Sequence, residues 1–235
     1  MSRLFRFKQF TLDDSGAAMK LGTDAVLLGA LATQQAPKQI LDIGTGSGII
    51  ALQLAQRFTE AKITGVDIES GAVAQATANF KASSWAGRLT ALEADICHWH
   101  SPLHYDLICC NPPFYATGFP ITHDARKMAR QQHGLSIGEL AKACASWLTP
   151  LGSAWMIMPS DSQQNLLSSF ASAQLYPIQV IHIQPKADKA TNRIIAAFGR
   201  EKPQTCKNIH ICIRNADGHY SEAYLQIVQD FYLFA

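Results

Sequence analysis

Short β-branched runs alternate with helical patterns through most of the chain. Residues 38–44 (KQILDIG) are typical of a strand, and residues 48–58 carry apolar side chains at helical spacing. Residues 105–111 are almost wholly apolar, which indicates a central strand. The predicted strands are 38–44, 62–68, 88–95, 105–111, 152–159, 177–184 and 192–200, and the predicted helices are 48–58, 70–83, 122–131, 136–148 and 161–173.

Alternation of this kind predicts an α/β protein with a doubly wound, mostly parallel, seven-stranded sheet of the Rossmann-like type. We expect one domain over residues 36–235, preceded by a short N-terminal extension over residues 1–35. The extension reads as a strand or hairpin followed by a helix that begins near Thr23. In such sheets, ligands bind beyond the carboxyl ends of the strands, where the strand order reverses.

Composition excludes several classes of protein. Hydrophobic residues make up 48% of the 235 and charged residues 16%, which excludes a disordered chain. No run approaches the roughly 18 apolar residues of a membrane span. The N-terminus alternates apolar and basic residues, unlike a signal peptide, so we expect a cytoplasmic protein. A net charge of +2 is too small to indicate a nucleic-acid partner by itself.

The six cysteines include no CxxC pair and read as reduced core residues. Two pairs resemble metal ligands, namely His98 with His100 and His210 with Cys212. A strand that presents alternate side chains to one face explains both pairs. No second pair at zinc spacing completes a site, so we expect no metal.

A glycine loop follows the first predicted strand of the domain. Asp42 precedes glycines 44, 46 and 48, which let the backbone turn sharply and let a ligand approach it. The spacing G-x-G-x-G is one residue shorter than the dinucleotide fingerprint. A carboxylate at Asp42 suits a ligand ammonium group, directly or through water, better than a diphosphate. Taken alone, the loop is also compatible with a glycine-rich turn that binds nothing.

Acidic residues end the next two strands. Asp67 is placed to accept hydrogen bonds from the two hydroxyls of a ribose. Asp95 is placed to accept from an exocyclic adenine amine, with Ile68 and Ile96 as apolar walls for the ring. The alternatives are a helix cap for Asp67 and a solvated loop for Asp95. The combination with the glycine loop favours a nucleoside pocket.

The fourth strand ends in Asn111-Pro112-Pro113-Phe114. Two prolines stiffen the turn, since each fixes φ and removes a backbone donor. The Asn111 side chain and the Pro112 carbonyl supply two acceptors beside the flat face of Phe114. This set fits a planar –NH2 group, whose protons the acceptors hold while its ring stacks on the phenyl ring. A rigid turn without chemistry is the alternative.

In this order and spacing, LDIGTGSGI, VDI, EADI and NPPF resemble the class I S-adenosylmethionine-dependent methyltransferases that act on planar nitrogens. MKLGTDAVLLGA (19–30) and DFYL (230–233) resemble a narrower bacterial group, which methylates N6 of adenine 37 in the anticodon loop of tRNA1(Val). The resemblance implies in-line transfer to an amine held by Asn111 and Pro112 and stacked on Phe114, with no metal.

The resemblance also implies how S-adenosylmethionine is bound. Asp42, Gly44 and Gly46 surround its methionine part, and Thr23 and Asp24 close that pocket from the N-terminal extension. Its ribose and adenine contact the residues that end the next two strands, namely Asp67, Ile68, Asp95 and Ile96.

A base in a stacked RNA loop must be flipped out to reach such a pocket, so phosphate contacts have to supply binding energy. Arg126, Lys127 and Arg130 follow NPPF at helical spacing and are our candidates, with a solvated helix face as the alternative. Further basic groups are Lys186, Lys189, Arg193 and Arg200, and Arg3, Arg6 and Lys8. No separate RNA-binding domain fits in 235 residues. We expect a monomer that binds tRNA.

Two other functions stay open. The NPPF turn also suits a guanine N2 amine in ribosomal RNA or a glutamine amide in a protein. A nucleotide-binding module without catalysis is a third reading, against which the loop spacing and NPPF argue.

Overall fold

The computed structural model describes residues 4–15, 21–112 and 135–235. The predictions for the helix near 122–131 and for Arg3, Phe114, Arg126, Lys127 and Arg130 lie outside these residues. The chain begins with a hairpin of strands β1 (Leu4–Arg6) and β2 (Thr11–Asp13), followed by helix α1 (Thr23–Leu31). This order confirms the hairpin and the helix start predicted for the extension.

Strands and helices then alternate as predicted. They are β3 (Gln39–Ile43), α2 (Ile49–Arg57), β4 (Lys62–Asp67), α3 (Ser70–Ala82), β5 (Leu89–Glu93), β6 (Tyr105–Cys110), α4 (Ile137–Trp147), β7 (Leu148–Pro159), α5 (Gln163–Ser172), β8 (Tyr176–Gln184), β9 (Arg193–Gly199), β10 (Lys207–Cys212) and α6 (Glu222–Val228). Helix α3 begins at Ser70, and its N-cap residue Glu69 makes no side-chain hydrogen bond to the first turn.

The described residues form one eight-stranded sheet in the order β10-β8-β9-β7-β6-β3-β4-β5. All neighbours are parallel except β9, which runs antiparallel to both β7 and β8. The fold is therefore the doubly wound, mostly parallel sheet that the sequence predicts, with β10 as an additional edge strand. Chain order reverses between β3 and β6, so the loops after these two strands open at the same place.

Each face of the sheet carries its own apolar cluster. What we call the first face is covered by α1, α2, α3, α6 and the N-terminal hairpin, and the second face by α4 and α5. In β3, Ile40 belongs to the first cluster, and Leu41 and Ile43 belong to the second. Since side chains alternate along a strand, Asp42 lies on the first face. In the described part of the chain, no helix has the length and apolar character needed to cross a membrane.

Candidate active site

The turn after β3 exposes its backbone. Gly44, Gly46 and Gly48 have φ of 69°, 55° and 86°, a region that residues with a Cβ rarely adopt. A Cβ on Gly44 or Gly46 would have no atom of the described residues within 4 Å, whereas one on Gly48 would overlap the ring of Phe80. The first two glycines therefore leave room for a ligand, and the third lets α2 pack against α3.

Asp42 is a fully buried carboxylate beneath this turn. The Thr45 hydroxyl donates to its Oδ2 at 2.7 Å, while Oδ1 is buried and has no hydrogen-bond partner within the described residues. Burial raises the pKa of Asp42 to about 7; hydrogen bonds from the Thr45 hydroxyl and the Ala51 backbone oppose this shift, and the negative charge of Asp67 adds to it. A positively charged ligand group at Oδ1 would favour the ionised form.

Asp67 stands at the end of β4 and is tied to the glycine turn. Its Oδ2 accepts from the Gly46 N–H at 2.9 Å, and its Oδ1 accepts from the Glu69 N–H at 3.0 Å. Each carboxylate oxygen accepts about two hydrogen bonds, so both retain capacity for a pair of hydroxyls. The side chain is half-buried, within reach of a ligand.

Asp95 lies next to this position because the Ala94 N–H donates to the Asp67 carbonyl at 2.9 Å. The Cys97 N–H donates to Asp95 Oδ1 at 2.9 Å, and His98 Nδ1 lies 2.8 Å from Oδ2. The Cys97 backbone bond, and next the His98 side chain, lower the pKa of Asp95, which keeps it ionised. The expectation that His98 and His100 lie on a strand is wrong: both follow the end of β5 in a loop, where the His98 ring is held against Asp95.

The two predicted apolar walls differ in their surroundings. Ile68 is 61% exposed at the carboxyl edge of the sheet, whereas Ile96 is half-buried and packs on the second-face cluster. Ile68 is therefore free to contact a ring, and Ile96 is held by the core.

Asn111 follows β6, whose Cys110 pairs with Ile43 of β3. Leu107 and Cys109 belong to the first-face cluster, so strand alternation places Asn111 on the same face as Asp42. Asn111 Oδ1 is buried, without a hydrogen-bond partner among the described residues. An unpaired buried carbonyl oxygen costs about 1–3 kcal/mol. A donor supplied by a ligand would remove this cost. The next residue, Pro112, is buried.

Thr23 and Asp24 form the first turn of α1. Thr23 is exposed, and the Asp24 carboxylate accepts from Arg193 Nε at 2.8 Å. That Thr23 and Asp24 close the cofactor pocket stays a prediction, and the structure gives Asp24 a partner on β9. No local pattern indicates this contact, because 169 positions separate Asp24 from Arg193, which was expected instead among the basic residues available to RNA.

Asn79 joins the N-terminal hairpin to the glycine turn. Its Nδ2 donates to the carbonyls of Asp13 and Ser47, both at 2.8 Å, and its Oδ1 accepts from the Asp13 N–H at 3.0 Å. The sequence analysis did not single out this residue. The sequence offers one local indication of its role: Asn79 is a polar residue on the face of α3 that is otherwise apolar, next to Phe80.

Several cations noted in the sequence have structural partners. Arg200 donates to the carbonyls of Ala145 and Leu148, and Lys8 donates to those of Gln229 and Ala235. Lys186 and Lys189 lie on the loop between β8 and β9, at the carboxyl end of β8, where Lys186 Nζ is 4.0 Å from Asp188 Oδ1 and Lys189 is exposed.

The histidines noted in the sequence also have neighbours other than a metal. The His210 ring stacks on His182 at 4.7 Å between centroids, across the β8–β10 pair. Within residues 4–15, 21–112 and 135–235, no three His, Cys, Asp or Glu side chains are grouped to hold a metal ion.

Solved structures with the same fold include methyltransferases. A predicted O-methyltransferase from Agrobacterium tumefaciens is 16% identical, with a TM-score of 0.68 over 88% of this chain and 96% of that one. A TehB-like SAM-dependent methyltransferase from Corynebacterium glutamicum is 17% identical, with a TM-score of 0.52 over 78% and 90%. At these identities the likeness concerns the fold alone.

Sequence comparison is more specific. Residues 15–163 match the family model described as methyltransferase small domain. Proteins named tRNA1(Val) (adenine(37)-N6)-methyltransferase are 38% identical in Aeromonas hydrophila, over 97% of both chains, and 36% identical in Vibrio cholerae, over 99% and 96%. With more than half of its length matched by the model and nearly all of it by these relatives, the chain belongs to the methyltransferase small domain family.

Proposed function

We propose that this protein transfers a methyl group from S-adenosylmethionine to N6 of adenine 37 in the anticodon loop of tRNA1(Val). The observation that carries the proposal is that two buried oxygens without a hydrogen-bond partner among the described residues, Asp42 Oδ1 and Asn111 Oδ1, belong to the ends of the adjacent strands β3 and β6 at the switch point of the sheet. The names of the 36–38% identical relatives support the choice of adenine and of tRNA.

The residues fit the proposed cofactor. The glycine turn is open at Gly44 and Gly46, and Asp42 offers an ammonium group a carboxylate oxygen that has no partner in the part of the chain that the structure describes. Asp67 would hold the ribose hydroxyls, and Asp95 the adenine amine. When bound, S-adenosylmethionine supplies an electrophilic methyl group attached to a positively charged sulfur.

The protein's task is to make a poor nucleophile reactive, since the adenine N6 lone pair is delocalised into its ring. Asn111 Oδ1 and the Pro112 carbonyl would accept the two amine protons, which favours a more tetrahedral nitrogen with its lone pair outside the ring plane. Holding the amine in this way acts through placement and through partial charge at nitrogen. Stacking on Phe114 stays a prediction and would offset about 1–3 kcal/mol of lost base stacking.

The N-terminal segment has a part in the proposed function. Residues 1–35 would close the cofactor pocket, which the Asn79 bridge between the hairpin and the glycine turn and the Asp24–Arg193 contact support. Arg126, Lys127 and Arg130 stay candidate phosphate contacts.

We further propose a cytoplasmic monomer, the cytoplasm being where unmodified tRNA is available. Light scattering tests the oligomeric state.

Methyl transfer from labelled cofactor tests the function directly. Unmodified tRNA, ribosomal RNA and a protein extract are offered separately, and the labelled RNA is digested to map the base. Label at N6 of adenine 37 is expected. Label in ribosomal guanine or in protein would replace the proposed substrate, and calorimetric binding of NAD in place of S-adenosylmethionine would reject the enzyme.

Asn111→Ala removes the acceptor without touching the glycine turn. We expect a loss of transfer of at least about 100-fold, in the range seen when an electrostatic contact to a reacting group is deleted. The Kd for S-adenosylmethionine stays within a few-fold. Asn165→Ala, an exposed asparagine on α5, is the matched control with unchanged activity. Loss of cofactor binding in Asn111→Ala would contradict the role assigned to this side chain.

A further inference from the structure

An ion pair joins the first turn of α1 to the sheet. Arg193 Nε donates to Asp24 Oδ2 at 2.8 Å, and the two side chains are only 31% and 26% exposed. The guanidinium is oriented further, because its η1 nitrogen donates to the Asn192 carbonyl at 3.0 Å. A half-buried pair with fixed geometry holds two elements in a defined relation, unlike a solvated surface pair.

The pair lies at the same edge of the sheet as Asn111. Because β9 is antiparallel to β7, its first residue Arg193 pairs with Pro159, the last residue of β7. β7 is also the neighbour of β6, so β9 and β6 are two strand spacings apart, about 10 Å. Ile195 belongs to the first-face cluster, and by alternation Arg193 shares the face of Asn111.

Among the described residues, the start of α1 is held by the Asp24–Arg193 pair and, one residue before its cap, by Asp14 Oδ2, which accepts from the Leu21 N–H at 2.9 Å. Its N-cap residue is Gly22, which provides no side-chain hydrogen bond, and Asp24 is the acidic residue of the first turn. At the other end of the helix, Arg57 on α2 donates to the carbonyls of Gly29 and Ala32 at 2.8 and 2.5 Å. One arginine therefore holds each end of α1, and Arg193 is the one that holds the end at the site.

We propose that Arg193 is a positioning residue for methyl transfer, which through Asp24 holds the first turn of α1, and with it Thr23, at the cofactor pocket. The inference rests on the proposed function and deepens it. It assigns to the pair a part in building the pocket, so that Asp24 acts by holding the helix rather than by contacting the cofactor.

The test measures cofactor binding as well as activity. Calorimetry with S-adenosylmethionine compares the wild type with Arg193→Gln, Arg193→Lys and Asp24→Asn. Arg193→Gln and Asp24→Asn are expected to raise the Kd by about tenfold, because small misplacements of a binding element are costly. The Kd of Arg193→Lys is expected to lie between those of the wild type and Arg193→Gln, since lysine keeps the charge but lacks the planar guanidinium group. The double variant is expected to have the same cofactor Kd as the single variant with the higher Kd, because both substitutions break the same contact.

Arg57→Gln is the matched control, since it releases the opposite end of the same helix. It is expected to lower the melting temperature as Arg193→Gln does, but to leave the Kd within about twofold of the wild type. In turnover, Arg193→Gln raises the KM for the cofactor while the KM for tRNA stays unchanged. This split separates positioning from general loss of stability.

Two outcomes overturn the inference. One is an unchanged Kd in both Arg193→Gln and Asp24→Asn, and the other is an equal rise in Kd in Arg193→Gln and Arg57→Gln. If Arg193→Gln does not fold, Arg193→Lys and Asp24→Asn decide the question. Failure of the proposed function is distinguishable, because a wild type that binds cofactor but never labels tRNA still allows the Kd comparison.

Discussion

Replacing Asp42 by asparagine should stabilise the cofactor-free protein while weakening its binding of S-adenosylmethionine. The wild-type carboxyl is fully buried, with a pKa of about 7 against an ordinary value of 3.8. Ionising it above pH 7 therefore costs about 4 kcal/mol, from about 3 pH units at about 1.4 kcal/mol each. Asparagine keeps the acceptor for the Thr45 hydroxyl and carries no charge.

The gain depends on pH with a definite sign. Because burial raises the pKa of Asp42 in the folded state, the native protein binds this proton more tightly than the unfolded chain. Its stability therefore declines as pH rises from about 4 to about 7, and the variant does not share this decline. The side-chain NH2 group of the new asparagine is buried, and leaving it without an acceptor costs about 1–3 kcal/mol of folding free energy. The net gain is about 1–3 kcal/mol at pH 8 and vanishes near pH 5.

Thermal unfolding between pH 5 and 8 measures this difference. At pH 8 the melting temperature of Asp42→Asn should exceed that of the wild type by several degrees, at about 2–4 °C per kcal/mol for a chain of this size. Calorimetry should show a Kd for S-adenosylmethionine at least about tenfold higher, since the partner of its ammonium group is neutral. Asp161→Asn, at an exposed position, is the control. A wild-type-to-variant difference that stays constant with pH would refute the reasoning.

Two further predictions concern packing and RNA binding. Gly48→Ala should destabilise the protein by about 2–4 kcal/mol in denaturant unfolding, because its φ of 86° is unfavourable for alanine and the new Cβ overlaps Phe80. Gly138→Ala, where a Cβ meets nothing within 4 Å, should not destabilise; equal effects would contradict the packing argument. Lys189→Glu should raise the KM for tRNA severalfold and reduce the salt slope of binding by about 1, with the cofactor Kd unchanged. Lys207→Glu is the control, because Lys207 begins β10 and so lies at the other end of the β8–β10 strand pair. Equal effects of the two substitutions would exclude the β8–β9 loop from the RNA interface.

Much of the site could be read from local sequence. The apolar period identified the strands, and the glycine spacing identified a turn with positive φ, because both depend on side chains and backbone within a few residues. Acidic and amide residues directly after strands could be placed at one edge, since parallel strands end together. For this reason Asp42, Asp67, Asp95 and Asn111 could be assigned to one edge of the sheet from the sequence, while their roles in binding and transfer stay predictions.

Other features have no local signal. The tenth strand, β10, joins the sheet edge beside β8, and the antiparallel direction of β9 is set by how the C-terminal strands pair rather than by their composition. The extra strand is the reason that eight strands form where seven are predicted. The direction of β9 decides which of its residues comes near the site, because an antiparallel β9 brings its first residue, Arg193, to the carboxyl ends of the parallel strands.

By itself the sequence determined the alternation of elements, the class of fold and the residue types that end each strand, since these follow from patterns with a period of two or 3.6 residues. Only the tertiary structure decided partners and burial. The Asp24–Arg193 contact, the Asn79 bridge and the raised pKa of Asp42 all depend on chain segments distant in sequence. The physical reason is that hydrogen bonds and desolvation act over a few ångströms in space, whatever the separation along the chain.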